Sequence, residues 1–162
     1  MTNDHLKINW SCKSFIDLTN EELYKILQLR NAVFVVEQNC LYQDCDDKDQ
    51  HGYHLMGSQR NILLAYCRLL PPGLACKEAS IGRVVTANIA RGKNIGKELM
   101  TYSIKYIHEL FGEHSVTIGA QLYLKNFYEF FGFIQTSEIY LEDGIEHIKM
   151  HLRSILLCNK TR

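Results

Sequence analysis

The strongest constraint on this chain is a predicted strand that runs through a glycine-containing turn directly into a helix. The strand covers Ser80 to Thr86, the turn is Arg91-Gly92-Lys93-Asn94-Ile95-Gly96, and the helix ends at Gly112. A helix start leaves backbone N–H groups unpaired and carries the positive end of the helix dipole, about half a charge. The junction therefore predicts a seat for a phosphate, such as the pyrophosphate of a cofactor. A glycine turn can also open a helix that binds nothing, so the motif alone leaves both interpretations open.

Length and charge narrow the classes of protein that fit. The 162 residues suit one domain over residues 1–162. Lys plus Arg and Asp plus Glu number 18 each, so the formal net charge at pH 7 is zero. Because no overall field favours nucleic acid or an anionic membrane, we expect neither as a partner. The longest apolar stretch, Ile62 to Leu70, is interrupted by Arg68 and is far shorter than the roughly 20 residues that span a bilayer.

The cysteines and the acidic segment give no sign of a disulfide framework or a metal site. The first ten residues are too polar for a signal peptide, so we expect a reducing, cytoplasmic setting. Residues 37–52 are acid-rich, but the spacing of their aspartates lacks the glycine and the terminal glutamate of a calcium-binding loop, and we expect a solvated loop without metal. Cys40 and Cys45 have no second pair to complete a zinc site. The six cysteines are Cys12, Cys40, Cys45, Cys67, Cys76 and Cys158.

The remaining pattern predicts an α/β domain. Thr19-Asn20-Glu21-Glu22 matches a capping box and predicts a helix to about Val36, with Arg30 on its apolar side. A second short helix of about ten residues begins near Leu124 and ends at Gly132. A strand over 116–121 follows the long helix, so it should lie parallel to the strand before that helix. Further strands are predicted at Lys7–Ser11, Tyr53–Gly57, Asn61–Leu70, Phe133–Tyr140 and Ile145–Leu152.

The strand, turn and helix together resemble the acyl-CoA-binding motif of the GNAT N-acetyltransferase superfamily. That motif is written Arg/Gln-x-x-Gly-x-Gly/Ala, and it follows a strand like Gly82 to Thr86. Arg91 takes its first position and Gly96 its last, while Asn94 stands where glycine is usual. Asparagine is among the few non-glycine residues that visit the left-handed conformation readily, so the departure is mild.

Other segments strengthen the resemblance. The run from Asn126 to Phe133 is similar to the superfamily's Asn…Phe-Tyr-x-x-x-Gly-Phe element, and it places Tyr128 at the tyrosine position. The run from Leu27 to Gln38 looks like the ElaA-type branch of the superfamily. The same branch is suggested by Tyr42-Gln43-Asp44, Gly119-Ala120-Gln121 and Glu142-Asp143-Gly144-Ile145.

The resemblance implies a fold and an activity. The fold is a mixed, mostly antiparallel sheet flanked by helices, with acyl-CoA entering between two central strands that part. The activity is transfer of an acetyl group from acetyl-CoA to a primary amine of a small molecule or peptide, without a covalent enzyme intermediate. Main-chain groups of two valines would hold the pantetheine arm, and amides of about 92–97 the pyrophosphate. The implied cofactor-binding residues are Val84, Val85, Arg91, Gly92, Lys93, Asn94, Ile95, Gly96, Lys97 and Asn126.

The resemblance also assigns chemistry, with several alternatives left open. Tyr128 is the expected general acid toward the departing thiolate, although an aromatic residue at this helical position would otherwise be read as core. Glu37 and His147 are candidates for the acceptor site and for the general base, with water as a third possibility for the base. A non-catalytic acyl-CoA sensor and a plain interaction domain are the rival functions. The acceptor's identity stays open, and exposed carboxyl-terminal strands suggest a homodimer.

Overall fold

The computed structural model describes residues 7–112 and 115–154. Predictions that concern residues 1–6 and Cys158 lie outside this part of the chain. The helices are α1 (Asn20–Arg30), α2 (Ile95–Phe111) and α3 (Lys125–Glu129). The strands are β1 (Asn9–Ser14), β2 (Tyr53–Gln59), β3 (Ile62–Leu70), β4 (Ala79–Thr86), β5 (Val116–Gln121), β6 (Ile134–Gln135), β7 (Tyr140–Glu142) and β8 (Ile145–Leu152).

Within the described residues, the eight strands form one mixed sheet. Their order is β1-β2-β3-β4-β5-β8-β6, and β7 pairs with β8 beside this path. The pair β4 and β5 is parallel and all other recorded pairs are antiparallel. The crossover from β4 through α2 to β5 is the one that the sequence predicts. The expected mixed, mostly antiparallel α/β fold is therefore confirmed.

The first helix begins as predicted and then changes its geometry. Thr19 Oγ1 accepts from Glu22 N at 3.1 Å, and the Glu22 carboxylate accepts from Thr19 N at 2.8 Å, which completes the capping box. After Arg30 the chain continues as a π-helix over Asn31–Glu37. Its wider turn is closed by a bond from Gln38 N to the carbonyl oxygen five residues back, at 3.1 Å. π-helical turns are rare and often occur at functional sites.

Helices cover both faces of the sheet. Leu55 and Met56 are neighbours on β2 and point to opposite faces, as alternation along a strand requires. The larger core contains Leu55 together with apolar residues of α2 and α3. The smaller core contains Met56 and packs under α1 and its π-helical continuation. The sheet is therefore a middle layer between two sets of helices.

Several predicted elements differ in extent from those observed. The first strand begins two residues later than expected and runs on to Ser14. The last predicted hairpin is interrupted, because Ser137 Oγ accepts from Lys149 N at 2.8 Å where a backbone partner would otherwise stand. The helix before Gly132 consists of a 3-10 turn and the five residues of α3. It ends in a Schellman motif, with Gly132 at φ +89°.

The prediction of a solvated acidic loop is wrong. Asp49 is buried, and the side chains of Asp44 and Asp46 are largely covered. Each of these carboxylates pairs with an arginine that the rest of the fold brings to it. The arginines are Arg30 from α1, Arg68 from β3 and Arg83 from β4. The loop is therefore docked against the sheet through a buried ionic network, and of its four aspartates Asp47 alone is exposed.

Candidate active site

The parting of β4 from β5 forms a deep cleft in the sheet. These strands pair only at Ala79 with Val116 and at Ser80 with Thr117, so they diverge toward their carboxyl ends. The divergence opens a cleft of about 770 Å³. Its walls come from β4, β5, the end of the π-helix and the β7–β8 hairpin. The candidate acceptor residues Glu37 and His147, the two valines of β4, Arg91 and Tyr128 all line this one cavity.

The predicted phosphate seat is a row of unpaired amides. Within the described residues, the backbone N–H groups of 92–96 donate no hydrogen bond to protein. The first amide after them that donates is Lys97 N, at 3.0 Å from the carbonyl oxygen of Asn94. Residues 92–94 are exposed, and α2 begins at Ile95. The donors and the helix dipole therefore meet at one accessible point, as an anion site needs.

The conformation of this turn explains its residue choice. Asn94 caps α2 with φ +61° and ψ +3°, in the left-handed region that asparagine tolerates. Gly92 has φ +73°. At Gly96, a β-carbon would meet only Phe127 and Thr86 atoms at 3.8 Å or more, which is ordinary contact. Packing inside the protein therefore does not require glycine at 96, and the small residue leaves room for a ligand beside the helix start.

The side chain of Arg91 connects the phosphate seat to the π-helix. Its Nη1 and Nη2 donate to the two carboxylate oxygens of Glu37 at 2.7 and 3.0 Å. Nη2 also donates to the carbonyl oxygen of Thr86 at 3.5 Å. The hydrogen bonds to Glu37 raise the pKa of Arg91. About two fifths of each side chain is exposed, so this is a surface pair of small net energy.

Tyr128 belongs both to the core and to the cleft. Its ring is 5% exposed and packs edge-on against Phe127 and Phe133, with ring centroids 5.1 and 6.1 Å away. Within the described residues its hydroxyl makes no hydrogen bond, although the residue lines the cleft. Burial raises the pKa of Tyr128 well above that of a free phenol. The group is therefore protonated across the physiological range and can donate to an atom placed in the cleft.

His147 has one ring nitrogen fixed by the backbone. Its Nδ1 lies 2.9 Å from the carbonyl oxygen of Ile145, which can only accept. The proton of the neutral ring is therefore on Nδ1, and Nε2 carries the lone pair. The Tyr140 ring stacks on the imidazole with a centroid distance of 6.0 Å, and Tyr140 lines the same cleft. His147 thus has the tautomer that a general base requires.

The two valines of β4 lie beside a β-bulge. The register between β3 and β4 passes from Tyr66 opposite Val85 to Arg68 opposite Gly82, so Arg83 and Val84 share the place of one residue. Arg83 has φ +54°, unusual for a residue with a long side chain. The bulge occurs at the part of β4 that faces the cleft. It therefore changes the direction of the main-chain groups of Val84 at this point.

The other predicted residues are less involved in the cleft. Lys93 is exposed, and the Lys97 ammonium lies 4.5 Å above the ring of Phe130. Asn126 is exposed on α3 and does not line the cleft. Among the residues described, no group of three or more His, Cys, Asp or Glu side chains has the arrangement of a metal site. None of the helices in this part of the chain has the length and apolarity to cross a bilayer.

Sequence reasoning missed Arg83, Tyr140 and the pairing of Glu37 with Arg91. For the ionic network that contains Arg83, the sequence did hold a signal. Arg30 is a charged residue on the apolar side of a predicted helix, and a segment with four aspartates follows it. A buried arginine needs a carboxylate, so this pattern could have predicted docking of the loop. Nothing in the local sequence indicates the bulge or the pair between positions 37 and 91, which are far apart in the chain.

Comparisons with known proteins agree with this arrangement. A family model described as an acetyltransferase (GNAT) domain matches residues 16–154. The protein ElaA of Escherichia coli K12 is 42% identical over 145 residues, which is 88% of this chain and 95% of ElaA. The crystal structure of an acyl-CoA N-acyltransferase from Pseudomonas aeruginosa is 43% identical, with a TM-score of 0.86 over 90% of this chain and 99% of that one. The crystal structure of E. coli ElaA gives 40% identity and a TM-score of 0.85 over the same shares of the two chains.

Proposed function

This chain belongs to the GNAT acetyltransferase family, and we propose that it transfers an acetyl group from acetyl-CoA to a primary amine of a small molecule or peptide. The observation that carries the proposal is the row of unpaired amides at 92–96, next to a cleft between two diverging strands. Unpaired donors at a helix start fit a pyrophosphate, and a gap in the sheet fits the extended arm that joins the pyrophosphate to a thioester. The family membership and the structural relative named as an acyl-CoA N-acyltransferase support the donor class.

The residues at the cofactor end have separable roles. The unpaired amides of 92–96 bind the pyrophosphate, whereas the expected amide of Lys97 is engaged by Asn94, and the charges of Arg91, Lys93 and Lys97 add to the attraction. Main-chain groups of Val84 and Val85 bind the pantetheine arm in the manner of an added strand. Asn126, on α3, also contacts the cofactor. Acyl-CoA supplies an acyl group already activated as a thioester. An N–H near Val84 or Val85 polarises the acyl carbonyl, while holding both reactants together lowers the entropic part of the barrier.

The acceptor needs a group that removes a proton. An alkyl ammonium with a pKa of about 10.4 is neutral in fewer than roughly one molecule in a thousand at pH 7. His147 Nε2 has the free lone pair for this task, because Nδ1 is engaged by a backbone carbonyl. We assign Glu37 to the rim of the acceptor site, since Arg91 holds its carboxylate. Water is the alternative base. It would be favoured if the rate of a His147→Gln variant depended on pH in the same way as the rate of the wild type.

Tyr128 is the proposed general acid toward the leaving sulfur. Its raised pKa keeps the phenol protonated, so that it can donate to sulfur as negative charge develops there. A positioned acid of this kind contributes typically about 10²- to 10⁴-fold to the rate. Because no described residue accepts from its hydroxyl, removing that hydroxyl leaves no buried partner unsatisfied. Tyr128→Phe is therefore a clean test of chemistry with little effect on folding.

Two measurements test the proposal. Calorimetry with acetyl-CoA should detect a micromolar complex, and no complex would favour a plain interaction domain. Thiol release should then be followed over a panel of polyamines, amino acids, aminoglycosides and lysine peptides. Binding without release by any amine would favour a sensor over an enzyme. With an active acceptor, Tyr128→Phe should lose about 10²-fold or more in kcat with an unchanged Kd for acetyl-CoA, and equal rates would remove the assigned role.

The structure also bears on location and assembly. We propose a cytoplasmic setting because all five cysteines of the described residues are free thiols. We also propose a homodimer through the carboxyl-terminal strands, where Ile134, Ile139 and Leu141 are about half exposed or more. Light scattering tests the dimer, and a monomeric mass at micromolar concentration would contradict it.

A further inference from the structure

The bulge in β4 holds a residue in a conformation that must be stabilised by its surroundings. Arg83 has φ +54°, where the β-carbon of an ordinary residue is in unfavourable steric contact with the backbone. Glycine would adopt this conformation at almost no cost, yet the chain has arginine there and glycine at 82. Such strain persists where neighbouring contacts fix the residue. The contacts of the Arg83 side chain are therefore the candidates for this restraint.

Asp44 and Tyr42 hold the Arg83 guanidinium from one side. Arg83 Nε lies 2.7 Å from Asp44 Oδ1, and Nη2 donates to the Asp44 carbonyl oxygen at 3.2 Å. The guanidinium carbon lies 5.9 Å from the centroid of the Tyr42 ring, and the Tyr42 hydroxyl donates to Asp44 Oδ1 at 3.0 Å. Three contacts with two residues therefore fix the end of the side chain that starts at the bulge.

Asp44 is itself anchored to the first helix. Arg30 Nε donates to Asp44 Oδ2 at 2.6 Å, and Arg30 Nη2 donates to the Asp44 carbonyl oxygen at 3.0 Å. Arg30 is fully buried at the end of α1. At another edge of the Arg30 guanidinium, Nη1 donates to the two carboxylate oxygens of Asp49 at 2.8 and 2.9 Å. A continuous set of contacts thus runs from α1 through Asp44 to Arg83 and the bulge, while Asp49 lies outside that path.

We propose that Asp44 is a positioning residue for the acyl site: through Arg83 it fixes the β4 bulge and so directs the main chain at Val84. This inference rests on the proposed function, in which a β4 amide polarises the acyl carbonyl. Asp44 does not touch the reacting atoms. The acid-rich segment, which would otherwise be only a docked loop, then sets the geometry of catalysis from the acceptor side of the cleft. A displacement of about 1 Å at such an amide can cost about 10²-fold in rate.

The matched pair Asp44→Asn and Asp49→Asn separates positioning from stability. Both variants remove a carboxylate that binds Arg30, but only the first also removes the carboxylate that lies 2.7 Å from Arg83 Nε. At a temperature where circular dichroism shows both to be folded, we expect Asp44→Asn to lose about 10- to 100-fold in kcat. Its KM for acetyl-CoA should change less than about threefold, because the phosphate seat is elsewhere. Asp49→Asn should keep kcat within about threefold of the wild type.

A second readout does not depend on activity. In the ligand-free protein, the amide ¹H–¹⁵N resonances of Val84 and Val85 should shift and exchange faster in Asp44→Asn, and should stay near their wild-type values in Asp49→Asn. Arg83→Lys keeps the charge without the planar fork and should behave like Asp44→Asn. Equal kcat values and unchanged Val84 resonances in both aspartate variants would overturn the inference. If the wild type releases no CoA with any amine, the proposed function fails, while the resonances still decide the role of Asp44.

Discussion

Replacing Asp49 by asparagine removes the centre of the buried ionic network with little change in shape. The Asp49 carboxylate accepts three hydrogen bonds, two from Arg30 Nη1 at 2.8 and 2.9 Å and one from Arg68 Nη1 at 2.7 Å. Asp49 is 7% exposed and the arginines are 0% and 3% exposed. Removing one partner of a buried ion pair leaves an uncompensated charge and costs about 3–5 kcal/mol. Since asparagine keeps one oxygen that accepts a hydrogen bond, we expect about 3 kcal/mol.

This loss should be measured by calorimetry at pH 7. In a chain of this size each kcal/mol shifts Tm by about 2–4 °C, so Asp49→Asn should melt about 6–12 °C below the wild type. Asp47→Asn is the matched control in the same segment, because Asp47 is exposed and has φ +57°, which asparagine tolerates. Its free energy of unfolding should change by less than about 0.5 kcal/mol. A shift below about 2 °C for Asp49→Asn would show that the network does not depend on this charge.

Three further outcomes follow from described contacts. Burial lowers the pKa of His54, whose folded state is neutral, so its stabilisation is complete above the ordinary value of about 6.5 and is lost as pH falls below it; melts between pH 7 and 5 should show this fall, and it should be smaller in His54→Gln. Glu37→Gln frees the Arg91 guanidinium for phosphate, and calorimetry should show acetyl-CoA bound more tightly by at most about fivefold, with Tm nearly unchanged; weaker binding would instead mean that the pair orients Arg91. Asn94→Ala should lower the free energy of unfolding by about 1 kcal/mol and weaken the binding of acetyl-CoA, whereas Asn94→Gly should keep both near their wild-type values. Equal behaviour of the two variants would contradict this account of the turn.

The parts of the fold that sequence predicts are those whose signals are local. The capping box at Thr19 and Glu22, the glycine that ends α3 and the turn before α2 are each encoded within a few residues. The parallel pairing of β4 with β5 also follows, because a strand, a helix and a strand in succession usually form a right-handed crossover between parallel strands. Family resemblance also singled out Tyr128 and the motif that begins at Arg91, and both of these residues line the cleft.

The parts that sequence did not predict depend on contacts between distant residues. Arg83 and Asp44 are 39 positions apart, and Arg91 and Glu37 are 54 apart. A row of aspartates looks the same in sequence whether water or buried arginines surround it. The choice between these environments is made by the packing of α1 on the sheet, which brings Arg30 to the loop. The solvated-loop prediction failed for this reason.

The π-helical continuation of α1 has a consequence for how this cleft can vary. A π-helical turn holds about one residue more than an α-helical turn, so the segment Asn31–Glu37 amounts to a stored insertion. Deleting one residue there would return the segment to α-helical winding, in which six residues at about 100° each turn through nearly the same angle as the seven do now. The buried Arg30 before the segment and Glu37 at its end would then keep their relative orientation. The acceptor wall can thus lose or regain one residue at this point while the pair of Glu37 with Arg91 is kept.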